Sequence, residues 1–229
     1  WHVTVGQWIL DHGQAPQADH WSYSRSGAPW TAHEWLSEAL MGGAYRLGGW
    51  TGVTALTAAA FGAAAWILGR RLACDLGGTA LLVLLVLSLS LLGPHLLARP
   101  HILALPVFAA WTALLVRARE RNSAPPLWAA ALMTLWANLR GGWAFGLALA
   151  GPFALEALLE APPAERFRVV VGWGAFGLLS LAAAAVTPFR IEGVLFPVQQ
   201  LGLRNLGGIG EWRPADFTRI EPLQLALLA

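Results

Sequence analysis

The chain has 229 residues, of which 56% are hydrophobic and 12% are charged, and its mean hydropathy is +0.54. Soluble domains carry about 25% charged residues, so this composition indicates an integral membrane protein and excludes a disordered chain. The formal net charge of +2 gives no reason to expect nucleic-acid binding, and a single cysteine excludes a disulfide scaffold.

Six apolar segments are predicted to lie in a membrane: residues 50–68, 76–92, 102–116, 127–139, 143–159 and 169–187. A spanning helix needs about 20 apolar residues, with about 17 as the lower limit, so segment 127–139 is predicted to be a half-helix. It either forms a hairpin with segment 143–159, or the two segments form one long broken helix. The expected fold is all-α: a polytopic helical membrane protein with about six membrane segments in a single domain, residues 1–229.

The positions of the arginines favour the hairpin. All fifteen cationic side chains are arginine, and seven of them lie in three short loops, residues 69–75, 117–126 and 160–168. Short loops rich in cations stay on the cytoplasmic side of a membrane, and only the hairpin brings these three loops to one side. The outer side then holds residues 1–49, 93–101, 138–142 and 188–221. All six histidines lie in these outer stretches, so the polar chemistry is expected on the outer face.

The outer stretches contain predicted elements of their own. Residues 3–10 followed by Gly13 predict a short helix that ends in a glycine cap. Thr31-Ala32-His33-Glu34 matches a capping box and predicts a helix to about Leu47, amphipathic and lying on the membrane surface. Residues 188–221 are rich in glycine and proline and are predicted to be an irregular loop, followed at 222–229 by the start of a further span.

Two outer carboxylates, those of Asp19 and Glu34, are the candidate catalytic groups. A carboxylate that is partly desolvated near a membrane surface can act as a general base toward a hydroxyl group. Each residue has a structural alternative, because Glu34 would complete the capping box and Asp19 would cap a turn or a helix. The six histidines show neither the HxH nor the HExxH spacing of metal sites, so no metal ligand is assigned.

Two arginines, Arg99 and Arg140, are candidates for binding a phosphate. Each lies in a very short outer turn between membrane segments, where a charge is costly and usually functional. Arginine is suited to bidentate phosphate contacts. The alternative is that both side chains only reach up to lipid headgroups.

The last outer loop holds Glu211-Trp212-Arg213, where charged groups flank an aromatic ring. Trp212 can stack on the face of a sugar. The alternative is that it belongs to the tryptophan belt of the membrane interface, as many of the thirteen tryptophans do.

A set of distinct motifs is distributed along the chain: Trp1-His2, Gly6-Gln7-Trp8-Ile9-Leu10, His12-Gly13, Pro16, Asp19, Ser22-Tyr23, Gly27, Pro29-Trp30, His33-Glu34-Trp35-Leu36, Arg99-Pro100-His101, Trp136-Ala137-Asn138-Leu139-Arg140-Gly141-Gly142, Thr187-Pro188-Phe189 and Glu211-Trp212-Arg213-Pro214-Ala215-Asp216-Phe217. Together they resemble a bacterial branch of the GT-C glycosyltransferases. Members of this branch are often labelled as similar to rhizobial lipopolysaccharide galacturonosyltransferases or dolichyl-phosphate mannosyltransferases. The resemblance runs over nearly the whole chain.

The chain departs from the branch at three points. Arg140 stands where the branch commonly has histidine, and Thr187-Pro188 stands where it commonly has Asn-Pro. The acidic residue expected to be the principal base follows the first span in GT-C enzymes and, in this branch, precedes the Trp-His pair. We therefore expect a first span and that acid upstream of Trp1, and expect the present piece to be inactive alone.

The resemblance implies an inverting transfer of a sugar from a polyprenyl-phosphate carrier to a lipid or polysaccharide acceptor of the cell envelope. It implies a location in the bacterial inner membrane, with residues 1–49 and 188–221 periplasmic. No cofactor is assigned, and a divalent metal is left open. Asp19 or Glu34 would assist the upstream acid. The implied substrate-binding residues are His33, Arg99, His101, Asn138, Arg140, Glu211 and Arg213.

Two other classes of function have different sequence requirements. A transporter or flippase for a lipid-linked or polar solute would favour polar residues within the spans or an inverted repeat, and the sequence shows neither. A membrane scaffold without catalytic activity gives no reason for Arg99 and Arg140 in tight outer turns.

Overall fold

The computed structural model describes residues 1–93 and 96–202 of the chain, and within these residues it is all-helical without a strand. The predicted all-α class is confirmed. A short 3-10 turn, Leu127–Ala130, leads into the fifth helix. The helices are α1 His2–His12, α2 Trp35–Leu72, α3 Gly78–Leu92, α4 Pro100–Glu120, α5 Ala131–Leu139, α6 Trp143–Glu160, α7 Arg166–Ala184 and α8 Arg190–Leu201.

Four helices in the described part of the chain, α2, α4, α6 and α7, are long and apolar enough to cross a membrane. Helix α3 and the stretch Leu127–Leu139 are apolar but shorter. At a rise of about 1.5 Å per residue, neither reaches across a hydrocarbon core of about 30 Å. The predicted helical architecture with apolar helices long enough to span a membrane is confirmed, and the structure gives four candidate spans where the sequence predicted about six segments.

Ion pairs place the three arginine-rich loops at one end of the helix bundle. Arg71, at the end of α2, pairs with Glu120 at the end of α4. The Arg119 guanidinium lies 2.9 Å from the Glu156 carboxylate and 2.6 Å from that of Glu160, at the end of α6. Helices α2, α4 and α6 therefore all run toward this end, as the positive-inside pattern requires of cytoplasmic loops.

The chain reverses direction between α5 and α6, which decides between the two predicted arrangements. A Cβ built on Gly146 would lie 2.3 Å from the Trp136 ring, so these residues are packed together. Ten residues of continuous helix would separate them by about 15 Å. The Thr134 hydroxyl also donates to the Ala183 carbonyl of α7 at 2.8 Å. The stretches 127–139 and 143–159 thus form a hairpin, and the long broken helix is excluded.

Helix α2 contains the two predicted helices of the N-terminal half, joined at a kink. Gly48 and Gly49 have non-helical backbone angles, and Gly49 adopts φ 58° and ψ −145°, which is accessible to glycine alone. The first part of α2, residues 35–47, is the predicted amphipathic helix, and its second part, residues 50–72, is the predicted first membrane segment. The kink therefore divides α2 into residues 35–47, which pack on α1, and the apolar residues 50–72.

Two local predictions are wrong. Glu34 occupies the N-cap of α2 but makes no side-chain capping hydrogen bond, so the capping box does not form. Residues 190–201 of the predicted irregular loop are helix α8, which tolerates Pro197. The Thr187 hydroxyl accepts a 3.3 Å hydrogen bond from the Phe189 amide, which helps to start this helix. The part of the predicted loop after residue 202 lies outside the described residues.

Helix α1, whose glycine cap at Gly13 is confirmed by φ 66°, packs on the first part of α2 through two glycines. A Cβ on Gly42 would lie 2.5 Å from the Gly6 carbonyl carbon, and a Cβ on Gly6 would lie 1.8 Å from the Glu38 carbonyl oxygen. The two backbones are therefore in direct contact. His2 contacts Glu38 one turn before this crossing in both helices, so the helices run parallel and begin side by side.

We expect Gly42→Ala to destabilise the protein by about 1–3 kcal/mol, because the added methyl group must push α1 away from α2. The adjacent Gly43 is the matched control, since its Cβ would meet its nearest neighbour, Leu10 Cδ1, at 3.9 Å. Gly43→Ala should be neutral or slightly stabilising, because alanine favours a helix over glycine by about 1 kcal/mol. Thermal unfolding in detergent measures both variants, and equal effects would contradict the backbone contact.

We also expect the α5–α6 turn and the arginine-rich loops to lie on opposite sides of the membrane. In a Cys74→Ser background, Arg140→Cys should react with a membrane-impermeant maleimide on intact spheroplasts. Arg121→Cys and Ala164→Cys, both at exposed loop positions, should react only after permeabilisation. Labelling of positions 140 and 121 from the same side would contradict this topology.

Candidate functional site

The structure brings together three predicted site residues, His33, Glu34 and Arg140, at the end of the bundle opposite the arginine-rich loops. The Arg140 Nε atom lies 3.5 Å from Glu34 Oε1, and the His33 Nε2 atom lies 3.7 Å from the same oxygen. The Glu34 side chain is 16% exposed and that of Arg140 is 41% exposed. Glu34 is therefore an almost buried carboxylate held beside a cation that solvent or a ligand can reach.

Burial sets the electrostatics of these groups. It raises the pKa of Glu34 above its usual value, although the Arg140 charge opposes the shift. The pKa of His33 falls to about 4, chiefly because the ring is buried and with a smaller contribution from the Arg140 charge, although a hydrogen bond with the Thr31 backbone opposes the shift. The imidazole is therefore neutral at pH 7. The His33 ring is stacked on Phe196 of α8, with a centroid distance of 4.1 Å.

The same end of the bundle holds His2 and Glu38, which the sequence analysis did not select. The His2 Nδ1 atom lies 3.1 Å from Glu38 Oε1, and Glu38 is only 2% exposed. Glu34 and Glu38 are four residues apart and so share a face at the start of α2, a spacing that could have indicated the pair. We call His2, His33, Glu34, Glu38 and Arg140 the Glu34 cluster.

Asn138 joins three helices next to this cluster. Its Oδ1 atom accepts a 2.8 Å hydrogen bond from the Trp35 indole nitrogen of α2. Its Nδ2 atom donates to the carbonyls of Thr134 in α5 and Val186 after α7, both at 2.8 Å. The amide predicted to bind a sugar is therefore bonded within the protein. It also holds Glu34 and Arg140 in place, because Glu34 precedes Trp35 by one residue and Arg140 follows Asn138 by two.

An open groove of about 750 Å³ begins at the Trp35–Asn138 contact. One wall is apolar, from α5 and the end of α7, and the polar residues Asn138, Thr187 and Arg190 lie along the rest. Arg190, the first residue of α8, is an exposed cation that the sequence analysis did not select. The full lining is Trp35, Leu36, Ala131, Thr134, Leu135, Asn138, Ala185, Val186, Thr187, Pro188 and Arg190.

Asp19 has the structural role that was its alternative interpretation. Its Oδ1 atom accepts 2.9 Å hydrogen bonds from the amides of Trp21 and Ser22. Bonds from the Ser22 side chain and these amides lower the pKa of the Asp19 carboxyl, which makes the carboxylate a weaker base. Of the two predicted catalytic acids, only Glu34 lies in the cluster.

The remaining predicted residues lie at the start of α4 or beyond the described part of the chain. Arg99 is the exposed N-cap of α4, and His101 is half-buried in the first turn of that helix. Because α4 ends at the arginine-rich end, both lie at the same end of the bundle as the Glu34 cluster. Glu211 and Arg213 lie outside the described residues.

Comparisons of the chain with protein-family models, curated proteins and solved structures give no match. The resemblance to GT-C glycosyltransferases therefore rests on the motifs quoted above. The geometry itself offers an arginine for an anion, a largely buried carboxylate beside it, and a mostly apolar groove that begins at Trp35 and Asn138, close to both in the sequence.

We expect Asn138→Leu to destabilise the protein by about 2–4 kcal/mol, because it removes three hydrogen bonds from a residue that is 7% exposed. Trp35→Phe is the matched variant, since it removes only the bond to the indole nitrogen and should cost about 1–2 kcal/mol. Unfolding of both variants in the same detergent gives the comparison. A smaller loss for Asn138→Leu than for Trp35→Phe would show that Asn138 does not join the helices.

Proposed function

We propose that this protein is a glycosyltransferase that moves a sugar from a polyprenyl-phosphate carrier to a lipid or polysaccharide acceptor of the cell envelope. The reaction would take place at the outer face of a bacterial inner membrane. The observation that carries the proposal is the Glu34–Arg140 pair at 3.5 Å, next to a groove that opens along the helix bundle.

The groove supports a lipid-linked donor. Its apolar wall, formed by Ala131, Leu135 and Ala185 among others, suits a polyprenyl chain that lies against the bundle. Arg190 at one end and Arg140 beyond the Trp35–Asn138 contact suit the phosphate, because guanidinium groups form bidentate bonds with phosphate oxygens. A donor of this kind would enter sideways from the bilayer and place its sugar near Glu34.

The chemistry needs a base, a nucleophile and a stabilised leaving group. An acceptor hydroxyl oxygen attacks the anomeric carbon and its proton passes to a carboxylate, while the bond from that carbon to the phosphate oxygen breaks. Polyprenyl phosphate leaves with the electron pair, and the arginines stabilise the charge that develops on it. The configuration at the anomeric carbon is inverted.

Glu34 assists the principal base in this scheme. The resemblance expects that base upstream of Trp1, and His2 already contacts Glu38 at 3.1 Å. An acid just before Trp1 would therefore lie beside the Glu34 cluster. His33, as a neutral ring beside Glu34, helps to hold that carboxylate in place. The sugar or headgroup is proposed to be contacted from the neighbouring loops by Arg99, His101, Glu211 and Arg213.

Arg140→Ala tests the proposal in the full-length protein with a panel of polyprenyl-phosphate hexoses and pentoses and an envelope fraction as acceptor. We expect kcat/KM to fall by more than 100-fold, about 2.7 kcal/mol of transition-state stabilisation. The measurement is the release of polyprenyl phosphate together with transfer of labelled sugar.

Arg46→Ala is the matched control for this test. The Arg46 side chain is also 41% exposed and also pairs with an acid, Asp11, but it lies outside the Glu34 cluster. Its kcat/KM should stay within about threefold of the wild type. Equal activity of folded Arg140→Ala and wild type would remove Arg140 from the mechanism. Counterflow of a labelled donor in liposomes without sugar transfer would replace the proposal with a flippase.

A further inference from the structure

Three side chains of the Glu34 cluster converge in a way that the proposed reaction does not use. One imidazole nitrogen of His2 and one carboxylate oxygen each of Glu34 and Glu38 all lie within 4.8 Å of one another. Metal–ligand bonds of about 2.1 Å place neighbouring ligand atoms about 3.0–3.4 Å apart. The His2–Glu38 pair, at 3.1 Å, already has this separation. Small side-chain rotations would bring Glu34 to the same distance.

The second carboxylate oxygen of Glu38 gives an independent indication of a ligand. This oxygen is buried and has no hydrogen-bond partner among the described residues. Buried carboxylate oxygens are normally paired, because leaving one without a partner costs several kcal/mol in the low-dielectric interior. The Glu38 side chain is only 3% exposed, so bulk solvent does not reach this oxygen.

The charges of the cluster are also unbalanced. Two carboxyl groups, those of Glu34 and Glu38, face a single permanent cation, Arg140, which contacts Glu34 alone. A divalent cation between Glu34 and Glu38 would offset the charge of both carboxylates and leave the Arg140 charge for an anion.

The donor set indicates which cations fit. One imidazole and two carboxylates form a mixed nitrogen and oxygen set, in which the imidazole suits Zn²⁺ and the carboxylates also suit Mn²⁺, whereas Ca²⁺ and Mg²⁺ prefer oxygen ligands alone. Three protein ligands are also the number typical of sites that keep a coordination position open. We propose that His2, Glu34 and Glu38 bind one divalent transition-metal ion, Mn²⁺ or Zn²⁺, at the start of α1 and α2.

The Gly6–Gly42 contact is what makes this site. It holds the first turns of α1 and α2 together, so that His2 reaches two carboxylates that are distant from it in the sequence. The ion would lie next to Arg140 and add a second positive charge for a phosphate. This last consequence rests on the proposed function, whereas binding of the ion does not.

The test is metal binding to the full-length protein, purified in detergent through a tag without histidine and freed of metal with a chelator. Isothermal titration with MnCl₂ and ZnCl₂ should show one site per chain, with MgCl₂ as a weak competitor. Bound Mn²⁺ should also lose its six-line solution signal in electron paramagnetic resonance. Saturating metal should raise the thermal unfolding temperature, because it binds the folded state.

Two conservative variants and one control make the test specific. His2→Gln and Glu38→Gln should each raise the Kd for the metal ion by at least about 10-fold. Loss of a residue that only orients a metal ligand already lowers affinity by about 10-fold, and loss of a ligand itself should cost at least as much. His12→Gln in the same helix should keep the Kd within about twofold, because that ring bonds to the Trp8 carbonyl at 2.8 Å and stacks on the Trp8 ring, away from the proposed ligands. Circular dichroism before titration confirms that each variant is folded.

Two outcomes would overturn the inference. Unchanged Kd values in folded His2→Gln and Glu38→Gln would place the ion elsewhere. An absence of heat, spectral change and thermal shift with both metals would favour a proton shared by Glu34 and Glu38. Neither result depends on sugar transfer, so failure of this site and failure of the proposed glycosyltransferase are distinguishable.

Discussion

The candidate site depends on one steric constraint, the backbone contact between Gly6 of α1 and Gly42 of α2. Neither position has room for a Cβ, since each would overlap the other helix at 2.5 Å or less. The two helices therefore run parallel in contact, and their first turns bring His2 within 3.1 Å of Glu38. Any larger side chain at this crossing would separate the imidazole from the carboxylates. The position of these polar groups therefore depends on two glycines, Gly6 and Gly42, whose lack of a side chain lets the helices touch.

A second constraint couples this helix pair to the membrane bundle. Asn138 bonds to Trp35 of α2 and to the carbonyls of Thr134 and Val186, so one amide joins α2, α5 and the end of α7. The Ser37 hydroxyl adds a 2.7 Å bond to the Leu139 carbonyl. Hydrogen bonds of this kind hold helices together where hydrophobic association is weak. They also explain why Glu34 and Arg140, from distant parts of the sequence, become neighbours.

The cluster combines groups suited to opposite charges. Arg140 is 41% exposed and available to an anion, whereas the Glu38 side chain is buried with an unpartnered oxygen and suited to a cation. Glu34 pairs with Arg140 at 3.5 Å, and one of its oxygens lies within 4.8 Å of ligand atoms of His2 and Glu38. Buried charges are costly, and they persist where a ligand or a reaction uses them. A lipid-linked phosphate on one side and a metal ion on the other would together balance the cluster.

The sequence by itself determined the features that follow from solvent and local pattern. Its composition predicts the membrane class, and its arginine positions predict the hairpin of residues 127–139 with 143–159. Gly13 predicts the end of α1. These features follow from the sequence because transfer into a bilayer and glycine capping depend on local residues. It also selected His33, Glu34 and Arg140. Only the tertiary structure decided that Glu34 contacts Arg140 instead of capping its helix, that Asp19 closes a turn, and that Asn138 bonds internally. The tertiary structure alone added His2, Glu38 and Arg190. Their roles arise where helices meet, and the pattern of residues along the chain does not indicate which helices will be in contact.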